Sequence, residues 1–122
     1  MAKTLYERLG GYDAITAVAT DLLPRLASDP LLGRFWAHRS ADGIAREKQL
    51  LIDFLCHSAG GPVCYTGRDI KLSHEGMRIN GADWDAFMGH VGARLDKFGV
   101  PPTERAETIA FIESTRADIV EA

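Results

Sequence analysis

Hydrophobic residues recur along the chain at steps of three, four and one, which is the spacing of one face of an α-helix. Four amphipathic stretches stand out, beginning near Asp13, Ile44, Asn80 and Thr103. Their apolar positions are Ile15, Val18, Leu22, Leu23 and Leu26; Ile44, Leu51, Phe54 and Leu55, with Glu47 and Lys48 on the same side; Trp84, Phe87, Met88, Val91 and Leu95; and Ile109, Ile112, Ile119 and Val120. No stretch alternates apolar and polar residues for long enough to predict a strand. The pattern therefore predicts an all-α fold with about five substantial helices in one domain spanning residues 1–122.

Capping and breaking residues predict where these helices begin and end. Thr4 and Glu7 have the spacing of a capping box, and Gly10-Gly11 ends that first short helix. Pro24 is expected to kink the second helix or to remove one of its backbone hydrogen bonds. The remaining signals are Asp29-Pro30 as the end of the second helix, a polar loop over 37–43, a stop at 60–62, a short helix over about 68–75, a cap at Asn80 with Asp83, a stop at Gly99 before Pro101-Pro102, and a cap at Thr103.

Charge and composition exclude several classes of protein. The chain has 122 residues, with 14 Lys and Arg against 17 Asp and Glu, for a net charge of −3. This negative net charge disfavours sequence-independent binding to nucleic acid and binding to an acidic membrane. Apolar runs such as 50–52 are far too short to cross a bilayer, and residues 1–8 contain no signal-peptide stretch. We therefore expect a cytoplasmic protein without a membrane partner, whose cysteines Cys56 and Cys64 stay reduced.

His74 is the residue with the most promising chemistry. It lies near the end of the short helix predicted after the Gly60-Gly61-Pro62 break, and one neutral imidazole beside an apolar interior suffices to ligate haem iron. The residues alone leave open that His74 is a capping or surface histidine. A zinc site from Cys56, His57, Cys64 and His74 has suitable ligand types but fits no compact spacing. A solvent position is expected for His38 and an exposed one for His57, while His90 is expected to pair locally with a carboxylate.

Several segments together resemble the truncated haemoglobins, and within them group I. The matching stretches are 5–11 (LYERLGG), 25–36 (RLASDPLLGRFW), 60–74 (GGPVCYTGRDIKLSH), and Trp84, Phe87, 90–92 and 98–101 in the segment that follows. Each fragment is weakly specific, but their order and spacing cover nearly the whole chain. The resemblance implies a two-over-two helical sandwich around one haem b, with His74 as the proximal iron ligand.

The resemblance also implies which side chains contact the haem. Phe35 and Trp36 match an aromatic pair that wedges against the porphyrin. The further positions at the haem are Leu51, Phe54, Tyr65, Ile70, Met77, Ile79, Trp84, Phe87 and Val91. Arg78 or Lys71 is the weaker candidate for a contact with a haem propionate. Taken without the resemblance, the same aromatic and aliphatic residues are equally typical of an ordinary core.

The distal pocket departs from the family pattern. Where relatives usually carry a Phe-Tyr pair in the second helix, this chain has Leu22 and Leu23. A tyrosine hydroxyl donates a hydrogen bond to bound dioxygen, and Leu23 cannot. Loss of this hydrogen bond, which is worth roughly 1–2 kcal/mol net, weakens the retention of dioxygen by about one order of magnitude. We therefore expect faster oxygen release than in a tyrosine-bearing relative.

The third helix supplies the rest of the distal wall, and its register is open by about one turn. Counting back from Gly60 places Glu47 and Leu51 toward the ligand, with Phe54 and Leu55 near the position that gates a tunnel in relatives. A shifted register instead turns Lys48 or Gln49 inward, and a deprotonated Lys48, like His38, is a candidate sixth iron ligand. The alternative is that Glu47, Lys48 and Gln49 are all solvated.

The resemblance predicts a haem globin that reversibly binds dioxygen or another diatomic gas. Its expected activity is oxygen binding and transport, or oxidation of nitric oxide to nitrate with an external reductase, because the chain has no flavin or nicotinamide motif. The alternatives are a six-coordinate haem protein for electron transfer or redox sensing, and a helical interaction module without haem. We expect a monomer or a weak oligomer.

Overall fold

The computed structural model describes residues 3–37, 39–62, 65 and 70–121, with the side chains of residues 72 and 73 excepted. All regular structure within these residues is helical. The elements are α1 (Leu5–Leu9), α2 (Gly11–Ser28), a 3-10 turn (Gly33–Phe35), α3 (Ala41–Ser58), α4 (Ile70–His74), α5 (Gly81–Lys97), α6 (Pro102–Glu113) and α7 (Arg116–Ile119). No helix in this described part is long and apolar enough to cross a membrane.

The long helices form two layers of two. Helix α2 packs against α3 in one layer and against α5 of the other, while α6 lies beside α5. The larger core cluster is formed by α2, α5, α6 and the residue before the 3-10 turn. Its buried residues are Leu22, Leu23, Leu26, Leu32, Trp84, Val91, Leu95 and Ile112. A second cluster of Ile15, Ala19, Ile52 and Cys56 fills the α2–α3 interface. The predicted all-α, two-over-two sandwich is confirmed.

The first helix is defined by the predicted cap. The Glu7 amide donates to Thr4 Oγ1 at 3.2 Å, and the Thr4 amide donates to Glu7 Oε1 at 3.4 Å. Gly10 ends the helix with φ of 106°, a left-handed conformation that glycine adopts without a Cβ penalty. Asn80 and Asp83 form the same reciprocal box at the start of α5, as predicted.

Helix α2 continues through Pro24 and ends only at Ser28, before Asp29-Pro30. Proline has no backbone N–H, so one hydrogen bond of the helix is missing there. Pro24 itself is exposed, and the flanking Leu22, Leu23 and Leu26 are buried. Burial of the apolar face therefore outweighs the local cost of the proline.

Two predicted helix boundaries are wrong. Helix α3 begins at Ala41 instead of Ile44, because the Ser40 hydroxyl accepts a hydrogen bond from the Gly43 amide at 3.1 Å. The polar residues after Ala37 concealed that cap. Thr103 does not cap α6: the helix starts at Pro102, whose missing N–H costs nothing in the first turn.

The last apolar stretch is divided between two helices. Helix α6 ends at Glu113, and Ile119 belongs to the separate short helix α7. Of the helix predicted over about 68–75, residues 68 and 69 lie outside the described residues, and the described part is α4, Ile70–His74. Helix α4 packs against α7, which brings the C-terminal end of the chain close to His74.

Candidate functional site

A cavity of about 490 Å³ lies within the helical sandwich. This volume falls in the range of roughly 300–1,000 Å³ that is typical of small-molecule sites. Helices α2, α3, α5 and α6 supply most of its wall, and nearly all of their contributions are aliphatic or aromatic. Such a wall suits a large, flat, apolar ligand with few polar edges.

The structure brings the sequence-predicted cofactor residues together around this one cavity. All of the following line it: Phe35, Trp36, Leu51, Phe54, Tyr65, Ile70, Met77, Ile79, Trp84, Phe87 and Val91. The distal candidates Leu23 and Glu47 and the gating candidate Leu55 line it as well. Contact of each side chain with a cofactor stays a prediction.

His74 lies at the cavity wall with its imidazole oriented by its own helix. Its Nδ1 lies 2.9 Å from the Ile70 carbonyl oxygen, one helical turn earlier. Because a carbonyl can only accept, Nδ1 carries the proton in this pair and the lone pair of the ring is on Nε2. This is the tautomer that a metal-ligating histidine usually adopts, with its other ring nitrogen donating to a carbonyl or carboxylate.

The part of the cavity wall formed by helices α2 and α3, called the α2–α3 wall below, offers little hydrogen-bonding capacity. Leu22 and Leu23 are both buried and line the cavity, so the two positions expected to depart from the family pattern have no donor there. Glu47 lines the same cavity and forms a half-exposed ion pair with Arg39. Arg39 lines the cavity as well, but it is not among the predicted site residues because it precedes α3 in a polar run that has no periodic pattern.

The register of α3 distinguishes Glu47 from its neighbours. Gln49 is exposed and donates to the Tyr12 hydroxyl at 2.8 Å and to Asp53 Oδ1 at 2.9 Å. Lys48 lines a different groove, between α2 and α3, with Ile44 and Pro24. Glu47 and Lys48, which were predicted to share one side of α3, therefore line different grooves. Neither Lys48 nor Gln49 is among the side chains that line the main cavity.

Aromatic side chains make defined contacts at the cavity. Phe54 and Tyr65 meet edge to face, with ring centroids 5.4 Å apart and an interplanar angle of 73°. Trp84 and Phe87 lie 5.5 Å apart at 48°, and the Trp84 indole N–H donates to Glu113 Oε1 at 3.0 Å. These contacts restrict the rings, so that part of the wall is formed in advance of any ligand.

Asp83, predicted only as part of the cap of α5, is also a buried carboxylate at the cavity. Asp83 is only 1% exposed, and its Oδ2 accepts from Arg34 Nη2 at 2.7 Å. The Arg34 guanidinium holds the pKa of Asp83 below its ordinary value, against the opposing effect of burial. Asp83 Oδ1 has no hydrogen-bond partner among the described residues. The pair joins the turn before Trp36 to the start of α5.

The remaining histidines lie elsewhere. His90 pairs with a carboxylate, as expected: its Nε2 lies 2.7 Å from Oδ2 of Asp29. Asp29 directly follows α2 and is far from His90 in the sequence, so the prediction of a local pair is wrong. His57 is exposed. The predictions for His38 and Cys64 lie outside the described residues. Among the residues that the structure describes, no three His, Cys, Asp or Glu side chains are close enough to hold a metal ion together.

Cys56 is a fully buried free thiol, and burial raises its pKa above the ordinary value. The two candidate propionate partners, Lys71 and Arg78, are both exposed. Arg78 has φ of 56°, a left-handed conformation that is uncommon for a residue with a side chain. Neither residue lines the cavity.

A two-layer helical sandwich that encloses an apolar cavity, with one oriented histidine at its wall, defines the class of truncated globins. The sequence model of the bacterial-like globin family matches residues 4–121, so the chain belongs to that family. It is 33% identical over 117 residues to the group 1 truncated haemoglobin of Nostoc sp. (strain MUN 8820), covering 96% of this chain and 97% of that relative. It is 29% identical to the group 1 truncated haemoglobin of Tetrahymena pyriformis, covering 97% and 95% of the two chains.

A solved structure agrees with these sequence matches. The crystal structure of the truncated haemoglobin from Tetrahymena pyriformis in its Fe(III) form superposes with a TM-score of 0.89 at 28% identity. The superposition covers 98% of this chain and 100% of that one. The chain is therefore a haem-binding globin of the truncated, group I type. The tautomer of His74 and the apolar, aromatic cavity fit that cofactor.

Proposed function

We propose that the cavity holds one haem b through Nε2 of His74 and that the protein reversibly binds dioxygen or another diatomic gas there. The observation that carries this proposal is the hydrogen bond from His74 Nδ1 to the Ile70 carbonyl. It presents the ring in one tautomer at the wall of an apolar cavity. When bound, haem supplies the ferrous iron at which such gases bind.

The side chains of the α2–α3 wall support a gas carrier that retains bound dioxygen only weakly. Leu23 excludes water from this wall but donates no hydrogen bond to a polar ligand. The Glu47 carboxylate forms an ion pair with Arg39, and an ionised carboxylate only accepts hydrogen bonds. Arg39 lines the cavity too, with its guanidinium in the ion pair with Glu47, and the lining side chains of α2 and α3 add no donor toward a partially negative oxygen atom. Oxygen binding with rapid release, as in transport, follows from this chemistry.

Nitric oxide detoxification is the related activity that the same cavity supports. It requires a reductase from outside the chain to return the iron to the ferrous form. We further propose that residues 1–122 act as a single globin domain in the cytoplasm, as a monomer or weak oligomer. Coordination by Lys48, one basis of the six-coordinate alternative, is disfavoured because Lys48 lines an adjoining groove, which shares Leu23 and Trp36 with the main cavity, and not the cavity itself.

Absorption spectra of the purified protein test the proposal. Five-coordinate ferrous protein is expected to show one broad visible band that changes on addition of carbon monoxide, whereas a protein with a sixth internal ligand shows split bands before the gas is added. A protein with no band above the aromatic region, even after incubation with haemin, would contradict haem binding.

Stopped-flow measurement of oxygen dissociation then tests weak retention. The protein is compared with single variants Glu47→Ala, Lys48→Ala and Gln49→Ala. We expect a fast off-rate that none of these variants slows greatly. A very slow off-rate that survives all three substitutions would contradict the argument from Leu23.

A further inference from the structure

The segment that follows His74 has an unusual backbone. Gly76 has φ of 86° and Arg78 has φ of 56°. A non-glycine residue in the left-handed region persists when its surroundings hold it there. The side chains of Met77 and Ile79, which flank Arg78, line the cavity. The conformation of this segment therefore determines part of the cavity wall next to His74.

Glu121, near the other end of the sequence, binds this segment at three points. Its Oε2 accepts from the Gly76 amide at 3.1 Å, and its Oε1 accepts from the Arg78 amide at 2.8 Å. Its own amide donates to the Ile79 carbonyl at 2.8 Å. The two amides, that of Gly76 first, hold the pKa of the Glu121 carboxyl below its ordinary value. An ionised carboxylate bridging two backbone amides makes charge-assisted bonds, which are stronger than neutral ones.

The connection from this bridge to His74 is short. The Met77 amide donates to the His74 carbonyl at 3.2 Å, so the bridged segment is hydrogen-bonded to the histidine's own backbone. Helix α4 contains five residues, and a helix of that length is not stable by itself in water. Its orientation therefore depends on tertiary contacts, and among the described helices its main contacts are with α7.

We propose that Glu121 is a positioning residue for the proximal histidine: its carboxylate fixes the backbone of residues 76–78 and thereby the orientation of His74 toward the iron. This inference rests on the proposed role of His74 as the iron ligand. Glu121 does not contact the cavity itself, so it acts through the backbone that it binds.

The test compares Glu121→Ala and Glu121→Gln with the control Asp118→Asn in the full chain. Asp118 is exposed on α7, and none of the hydrogen bonds or ion pairs found in the described residues involves its side chain, so the control removes a negative charge from the same tail. Glutamine keeps one acceptor oxygen, and its amide nitrogen cannot accept. Glu121→Gln should therefore lose one of the two bonds to the carboxylate and give an intermediate effect.

Resonance Raman spectra of the ferrous proteins report the iron–histidine stretching frequency. We expect this frequency to shift in Glu121→Ala, to shift less in Glu121→Gln, and to stay unchanged in Asp118→Asn. Haem transfer to excess apomyoglobin should be at least about threefold faster in Glu121→Ala, below the roughly 10–100-fold effects of residues that hydrogen-bond a ligand directly. If Glu121→Ala does not fold, the comparison of Glu121→Gln with Asp118→Asn carries the test.

Amide hydrogen exchange in the haem-free protein provides a readout that does not require the cofactor. Exchange should accelerate at both Gly76 and Arg78 in Glu121→Ala, at one of these two amides in Glu121→Gln, and at neither in Asp118→Asn. If the wild-type protein binds haem through His74 while both Glu121 variants keep its Raman frequency and transfer rate, the positioning role is overturned. If instead the wild-type protein binds no haem, or His74→Ala retains the normal spectrum, it is the proposed function that fails.

Discussion

The two regions that meet at the cavity are held in place by different forces. The His74 region consists of a five-residue helix and an irregular segment, fixed by hydrogen bonds to the Ile70 carbonyl and to the Glu121 carboxylate. The α2–α3 wall consists of two helices of 18 residues each, fixed by apolar burial around Ile52 and Cys56.

The difference matches the role proposed for each region. Hydrogen bonds are directional and set the angle of one side chain, as a metal ligand requires. Apolar packing is not directional, but it excludes water and leaves few donors facing a bound gas. Under the proposed function, two adjoining parts of one small fold would hold His74 firmly and the gas loosely.

Replacement of His74 should produce the largest effect. In His74→Ala the only proposed iron ligand is lost, and we expect no stable haem complex, measured as the absence of the haem absorption band after purification and gel filtration with added haemin. His57→Ala, which removes an exposed histidine of α3, is the matched control and should bind haem normally. A normal spectrum in His74→Ala would contradict the assignment of this region.

Removal of Arg34 tests the buried link between the turn before Trp36 and helix α5. Arg34→Ala leaves the Asp83 carboxylate buried without its guanidinium partner, and it should lower the free energy of unfolding by about 2–3 kcal/mol. Urea unfolding monitored by circular dichroism measures this loss. Arg25→Ala, at an exposed position of α2, should change stability by less than about 0.5 kcal/mol. Equal stabilities of the two variants would show that the Arg34–Asp83 pair does not support the fold.

Introduction of a tyrosine sharpens the contrast between the two regions. Leu23→Tyr adds a hydroxyl at the cavity wall, and it should slow oxygen dissociation about tenfold if the hydroxyl reaches the bound gas. Leu23→Phe is the control for ring size alone. Stopped-flow off-rates that are the same in the tyrosine and phenylalanine variants would mean that hydrogen bonding at this wall does not control retention.

The smallest expected effect concerns the edge of the α2–α5 contact. Asp21 accepts hydrogen bonds from Lys97 Nζ at 2.8 Å and Arg94 Nη1 at 2.7 Å, and these bonds, that of Lys97 first, lower its pKa from 3.8 to about 2. Because the folded-state pKa is the lower one, the stabilisation is present above about pH 4 and is lost as the pH falls toward 2. The thermal midpoint of Asp21→Asn should therefore lie below that of the wild type at pH 6, and the gap should narrow as the solution is acidified.

Asp85→Asn, at an exposed position of α5, is the control for the loss of one charge. Its midpoint should stay close to that of the wild type. If the difference in thermal midpoint between Asp21→Asn and the wild type is the same from pH 6 to pH 2, ionisation of Asp21 does not contribute to the α2–α5 contact.

Local patterns along the chain are enough to predict most of the helices and the chemical types of the key side chains. Periodic burial is a local property, so the apolar faces of α2, α3 and α5 were evident from spacing, as were the caps at Thr4 and Asn80. The identity of Leu23 excludes a hydroxyl at that position of α2 whatever the fold. His74 was conspicuous through its place in the motif after the Gly-Gly-Pro break.

Which side chains face the cavity, and which contacts hold them there, depends on how the helices pack against one another. One residue turns a helix by about 100°, so an uncertain register could not tell Glu47 from Lys48. The pairs Arg34–Asp83 and Glu121 with Gly76 join residues that are 49 and 45 positions apart. Such contacts leave no periodic trace along the chain, because they exist only after the apolar faces have packed and brought those residues together.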